Sequence, residues 1–202
     1  MIAHSSETNE HYTPALIVDR ARATLGEIDL DPASCAAGQA VVRAEEYWTS
    51  DGLGQAWHGR VFLNPPGGKL DRVTLQPIKA GPGLSSAAVW WAKLWSEWNV
   101  GNVEAAIFVC FSLAIFRTAQ EFAPEVPAPF DFPFCVSRDR INYDRLDPTI
   151  GVRIPTKGAP ADSAIVLIPP KSERPAHPAV AWGGPMIDRF RDQFSPLGVV
   201  RI

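Results

Sequence analysis

Several features that would assign a protein to a class at once are missing from this chain of 202 residues. No run of about 18 apolar residues occurs, so no membrane-spanning helix is expected. The opening MIAHSSETNEHYTP is polar and lacks the basic–apolar layout of a signal peptide. The three cysteines, Cys35, Cys110 and Cys135, are odd in number and widely spaced, and Cys110 sits in an apolar run, where a reduced, buried thiol is expected. The four histidines show no ligand spacing with them, so no zinc or other metal site is assigned. A reducing cytoplasm fits these absences best. Positive charge is not in excess either: the net charge of −3 does not announce a nucleic-acid binder.

What is present suits one α/β domain. The length allows a real core but not two large domains. Hydrophobic residues at 46% and charged residues at 20% are ordinary for a globular chain. Charge is uneven along it: residues 1–59 balance at −6, whereas residues 60–202 balance at +3. Such asymmetry permits an acidic cofactor half beside a weakly basic substrate half and proves neither.

Strand and helix signals alternate. Thr13-Pro14 has the form of a helix cap followed by proline at the first helical position, with Gly26 as the stop and Ile17, Ala21 and Leu25 on one face. Strand candidates follow at 27–30, 41–49 and 59–63. Residues 85–98 have helical spacing, with Ala88, Trp91, Trp95 and Trp98 along one stripe. The continuous apolar run 105–111 suits a strand covered on both faces. A helix over 113–122, a Pro-rich loop over 123–133 and a strand over 164–168 come next. The stretch 169–184 is Pro-rich and irregular, ahead of a helix at 185–194 and a closing strand at 198–202. This alternation predicts a three-layer α/β sandwich around a mostly parallel sheet.

Val61-Phe62-Leu63-Asn64-Pro65-Pro66-Gly67-Gly68 carries the most chemistry. Proline cannot donate to a sheet ladder, so the strand must end at Asn64. That places Asn64 at the carboxyl end of a strand, where open α/β sheets hold their ligands. The Asn64 side-chain carbonyl and the Pro65 backbone carbonyl can both accept from one planar amino group. Holding both amino protons draws the nitrogen toward a geometry from which its lone pair can attack a methyl donor. The same residues would also make an ordinary Pro-Gly turn.

The stretch EHYTPALIVDRARATLGEIDLDPASCAAGQAVVRAEEYWTSDGLGQAWHGRVFLNPPGG, residues 10–68, resembles the phage-type, Dam-like DNA adenine-N6 methyltransferases. That family has an aromatic-x-TP opening, an IDLDPA-type acidic motif, a Y-x-T…DGL stretch and W-x-G-R-V-x-x-NPPYG, in this order. Downstream, Gly101-Asn102-Val103-Glu104-Ala105-Ala106-Ile107, and Gly158-Ala159-Pro160 followed by Ser163-Ala164-Ile165-Val166, are also similar, so the resemblance covers most of residues 8–168. One position departs from the pattern: the aromatic after the second proline is Gly67 here.

The resemblance implies a Rossmann-like class I methyltransferase fold in a single domain over 1–202, with a polar N-terminal arm at 1–12. The implied cofactor is S-adenosylmethionine. Asn64, Pro65, Pro66 and Gly67 form the implied catalytic loop. Asp31 in the Asp31-Pro32-Ala33-Ser34 loop would meet the ammonium of the cofactor, although the usual G-x-G is missing there and only Gly38 follows. Tyr12, Thr13 and Pro14 match the opening motif, which borders the cofactor. Asp51 is positioned to accept from the cofactor's adenine or ribose, or is simply a turn aspartate before Gly52. His58, beside the catalytic strand, is a weak general-base candidate. Adjacent Trp90 and Trp91 would point about 100° apart on a helix, one to the core and one to a groove. Together with Phe62 and Phe111 they are candidates for the ring that Gly67 lacks. Lys69 and Arg72, just past the loop, and Arg138, Arg140, Arg145, Arg153 and Lys157 are candidate DNA-backbone contacts, or a self-neutralised surface beside Asp139, Asp144 and Asp147.

The expected reaction moves a methyl group to the exocyclic amine of a DNA base, adenine N6 first. The DNA would be a duplex with the base flipped out, or a single strand. A bacterial cytoplasm, with phage or prophage origin, is the expected setting. An RNA base, a modified base or a protein glutamine remain alternative acceptors, as does an inactive relative that only binds cofactor or DNA.

Overall fold

A computed structural model describes residues 11–79, 81–147, 149–156, 161–177 and 180–202. The N-terminal arm up to residue 10, Lys157 and Gly158-Ala159-Pro160 lie outside them.

Helix α1 spans Ala15–Leu25 and buries Ile17, Val18, Ala21 and Leu25, the face that the sequence pattern marks. Its start is one residue later than expected. Pro14 has extended backbone (ψ 147) and occupies the cap position, and the Thr13 side chain makes no capping bond. Gly26 closes the helix at φ 90, a conformation that suits glycine. The first strand is shorter and later than expected, β1 at Leu30–Asp31. The region 41–49 is split: its start belongs to α2, Ala36–Val42, and only Glu46–Tyr47 forms β2. Alanine-rich sequence favours the helix, and Arg43 in the left-handed conformation (φ 49) ends it.

Strand β3 is Gly59–Leu63, as expected. Three two-residue strands follow, β4 (Lys69–Leu70), β5 (Pro77–Ile78) and β6 (Leu84–Ser85), forming a small sheet of their own in the order β5-β4-β6. Then come α3 (Ser86–Val100), β7 (Val103–Cys110), α4 (Ile115–Phe122), β8 (Phe134–Ser137), a separate hairpin of β9 (Asp144–Leu146) and β10 (Arg153–Pro155), β11 (Ala164–Ile168), α5 (Pro185–Phe194) and β12 (Gly198–Arg201). The Pro-rich stretch before α5, expected to be irregular, contains a 3-10 turn at Lys171–Glu173, and Glu173 accepts from the Met186 and Ile187 N–H groups at 3.0–3.1 Å and so caps that helix.

The central sheet has seven strands in the order β12-β8-β11-β7-β3-β1-β2. Strands β2, β1, β3 and β7 are parallel; β11 is antiparallel to both β7 and β8, and β12 is antiparallel to β8. Five strands therefore share one direction, and β11 and β12 oppose it. Strand β7 shows why both faces must be covered. Ala105, Ile107 and Val109 enter one buried cluster with residues of α1 and α5, whereas Ala106, Phe108 and Cys110 enter the other with residues of α3 and α4. Complete burial of such side chains stabilises by about 1.5–3 kcal/mol each for the larger ones. The result is three layers: helices, sheet, helices. Among the described residues no helix is long and apolar enough to cross a membrane.

Candidate functional site

The connection leaving β1 runs outward to β2, whereas the one leaving β3 runs the other way to β7, so the chain changes direction between β1 and β3. Open α/β sheets form a crevice at the carboxyl ends of the two strands at such a point. A cleft of about 570 Å³ lies there. Asp31 ends β1, and Asn64 follows β3. Both line the cleft, with Pro65, Pro66, Gly67 and Gly68, the Pro32-Ala33-Ser34 loop, Tyr12, Thr13 and Asp51.

Asn64 is oriented by a bond that the sequence does not foreshadow. Its Nδ2 donates to the His11 backbone carbonyl at 2.8 Å. A carbonyl can only accept, so this bond fixes the amide: the NH2 is directed at His11, and the side-chain carbonyl is left to accept from something else. The His11 ring in turn stacks on Phe111, centroids 4.5 Å apart, and Phe111 lies 4.9 Å from Tyr143. Burial, with Arg145 adding to it, lowers the His11 pKa.

Asp31 is 4% exposed. Desolvation raises its carboxyl pKa from 3.8 to about 6, against the opposing pull of hydrogen bonds from Ser34, the Ala33 N–H and Gln39. Gln39 Nε2 reaches Asp31 Oδ2 at 3.0 Å and Ser34 Oγ at 2.9 Å, while its carbonyl accepts from the Ala44 N–H. Among the described residues no cation pairs with Asp31. Next to this loop, Gly52 is pressed so closely that a Cβ would lie 2.0 Å from the Pro32 carbonyl oxygen and 2.7 Å from the Trp90 ring. Trp57 holds that turn from behind by donating to the Gly52 carbonyl at 2.7 Å.

The remaining sequence candidates divide. Trp90 lines the cleft, on the Pro32–Gly52 side. Trp91 does not: it is fully buried, donates to the Pro127 carbonyl at 2.8 Å and packs edge-on to Phe108 and Phe132. Helix geometry sends the two neighbours to different places, and Trp91 is the core member. Phe62 and Phe111 both line the cleft. Pro14 lies outside it, at the helix cap. His58 is half-exposed beside Glu46 at 3.0 Å and is not part of the cleft, which removes it as a base there. Lys69 and Arg72 sit on the small sheet and its tip, exposed and outside the cleft. Arg138 and Arg140 are exposed at the end of β8, and Arg140 pairs with Asp162 at 3.0 Å. Arg145 is also exposed. Arg153 differs from these surface arginines, because its side chain is only 10% exposed and forms part of the cleft wall.

Sequence reasoning missed His11, Cys35, Gly38, Trp48 and the inward position of Arg153, all of which line the cleft. For His11 the only available signal is its place just before Tyr12-Thr13-Pro14. Among the described residues no three His, Cys, Asp or Glu side chains gather as a metal site. Compared with protein-family models, curated proteins and solved structures, the chain finds no match.

Proposed function

We propose that this chain is a Rossmann-like class I methyltransferase that uses S-adenosylmethionine to methylate the exocyclic amine of a DNA base, adenine N6 first. The orientation of Asn64 carries the reading: its NH2 is spent on His11, and its carbonyl remains for an amino group in a cleft that also contains a buried carboxylate. The residues present suit the cofactor. The cleft is within the range of about 300–1,000 Å³ usual for small-molecule sites. Asp31 is a buried acid with no cation paired to it among the described residues, as an ammonium-bearing ligand requires. Two polar atoms of the cleft residues Thr13 and Arg153 are buried without a partner.

Bound in this cleft, the cofactor supplies an already activated methyl group. The chain's part is then positioning and charge. The Asn64 side-chain carbonyl and the Pro65 backbone carbonyl accept the two amino protons of the base and stabilise the nitrogen as it gains positive character. No general base is needed to start the transfer, because the sulfonium donor is already activated. A base in a duplex has to be flipped out to reach Asn64, at a cost of roughly a few kcal/mol. The test is chemical: DNA from a methylation-free bacterial host expressing the chain should contain N6-methyladenine. Unmodified DNA from cells containing folded protein would reject adenine N6 as the acceptor.

Gly67 favours a second reading, in which the acceptor amine is not that of ordinary adenine. A Cβ built on Gly67 meets nothing within 4 Å, so open space surrounds the point from which the family's ring would extend. Base–aromatic stacking contributes about 1–3 kcal/mol, and only other rings of the cleft could supply it. Gly67→Tyr starts from a Cβ that meets no neighbouring atom. If this variant methylates adenine where the natural chain does not, the open space serves a bulkier or modified base.

A further inference from the structure

Among the described residues, four buried side-chain atoms have no hydrogen-bond partner, and two of them, Thr13 Oγ1 and Arg153 Nε, belong to cleft residues that touch each other. Arg153 is held firmly. Its Nη2 donates to the Thr13 carbonyl at 2.6 Å and to Asp144 Oδ2 at 2.9 Å, and its guanidinium lies 5.2 Å from the centre of the Tyr12 ring. Backbone bonds fix the same corner: the N–H groups of Tyr12 and Asp144 each donate to the other residue's carbonyl at 2.9 Å. Hairpin β9–β10 is thereby stitched to the segment that precedes α1. Both unpartnered atoms are closed to solvent and the guanidinium is already paired with Asp144, but its Nε and the Thr13 hydroxyl keep donors that an anion entering the cleft can take after a small side-chain shift.

The other end of the same cleft has the opposite character. Asp31 is buried and receives only neutral donors. Tyr12 links the two ends. Its ring carries Arg153, its hydroxyl accepts from Cys35 Sγ at 3.5 Å, and a Cβ on Gly38 would lie 4.0 Å from its ring and 3.1 Å from Ser34 Oγ. A cation with a spare donor and an acid without a cation, joined by one ring, complement a ligand with both charges on one carbon.

We infer that Arg153, with the Thr13 hydroxyl, binds the α-carboxylate of a ligand's amino acid end, while Asp31 takes its α-ammonium. The inference rests on the methyl-donor reading and deepens it. It also moves Arg153 from the candidate DNA contacts or self-neutralised surface of the sequence reading to the small-molecule site.

Titration calorimetry on the whole chain tests this with two probes. S-adenosylhomocysteine has the amino acid end; 5′-methylthioadenosine has the same nucleoside and sulfur without it. Arg153→Gln should weaken S-adenosylhomocysteine by about ten- to a hundredfold, the scale of a charge-assisted bond, and leave methylthioadenosine within about twofold. Thr13→Val keeps the shape and removes an unpartnered hydroxyl, so it should weaken only S-adenosylhomocysteine without lowering the melting temperature. That variant decides the matter if Arg153→Gln fails to fold. Equal loss of both probes, or no loss of either, overturns the assignment while the methyl-donor reading stands. If the unaltered chain binds neither probe, the methyl-donor reading itself falls, and this assignment with it.

Discussion

Asn64 and Asp31 are both held by hydrogen bonds, but burial changes the chemistry only of Asp31. Asn64 depends on the His11 carbonyl for its direction, so its loss should act on the acceptor amine and not on the cofactor. Asn64→Ala is expected to abolish methyl transfer while S-adenosylhomocysteine affinity stays within a few fold. Loss of one oriented transition-state hydrogen bond typically costs about 2.7–4 kcal/mol. Near-normal turnover in single-turnover assays would reduce the Asn64 loop to a structural turn. Asp31 makes a different prediction, about stability. Its pKa is raised from 3.8 to about 6, so the folded chain holds this proton more tightly than the unfolded chain does. Stability without ligand should therefore fall as pH rises from about 4 to about 6 and remain lower above that. The shift corresponds to roughly 3 kcal/mol of unfavourable charge burial. Asp31→Asn removes it but reproduces the Gln39 bond incompletely, so a gain of about 1–3 kcal/mol at pH 8 and almost none at pH 4 is expected in denaturant titrations. The same variant should lose S-adenosylhomocysteine binding, a residue that costs stability for the sake of a ligand. A loss of stability at pH 8 would mean that Asp31 is a structural acid.

At the scale of elements, the parts legible in the sequence are those whose pattern is complete within one segment. Gly59–Leu63 ends where two prolines forbid a ladder, and Pro185–Phe194 buries Ile187, Phe190 and Phe194 on one face. Helix α2 was not legible, because its seven residues bury only Val42 and so carry no apolar period. Nor were the short strands β4, β5 and β6, whose pairing with one another is all that defines them. For the cleft, Asn64 and Asp31 stood out by local motif, whereas His11 and Arg153 act through partners 53 and 140 residues away. The small sheet has a functional consequence of its own. It begins right after Gly68 of the cleft, and Asp71 pins its tip by accepting from the Val73 and Thr74 N–H groups at 2.9 and 2.8 Å. Those bonds also lower the Asp71 pKa. The pinned tip presents Arg72 and an 89% exposed Val73 a few residues beyond Gly68. Replacing Lys69 and Arg72 together by Glu should weaken DNA binding in a gel-shift assay, equally for all sequences, and reduce its salt dependence. The equivalent change at Arg138 and Arg140, which follow β8, three strands along the sheet from β3, should have a smaller effect. A larger effect there would put the DNA path across the far edge of the sheet.

The whole molecule joins distant parts of the chain at one wall. The parallel half of the sheet supplies Asp31 and Asn64, while residues 11–13 and the β9–β10 hairpin close over the same cleft. Among the described residues that closure is made by the paired backbone contacts of Tyr12 with Asp144, the Arg153 bonds to Thr13 and Asp144, the Asn64 bond to His11 and the stack of the His11 ring on Phe111. A wall of one short segment and a two-stranded hairpin opens more easily than the buried sheet, where β7 and β11 are covered on both faces. A ligand that pairs with Arg153 should therefore slow the opening of this wall in particular. At 100 times its dissociation constant it stabilises the folded state by about 2.7 kcal/mol. In hydrogen exchange, the Tyr12 and Asp144 amides should be slow with S-adenosylhomocysteine bound and faster without it. With methylthioadenosine, which cannot reach Arg153 through a carboxylate, their protection should rise much less than that of the Ala33 amide. If both compounds protect Tyr12 and Asp144 equally, the wall responds to the nucleoside and the hairpin is only a lid. If neither protects them, although Ala33 is protected, the hairpin takes no part in holding the ligand.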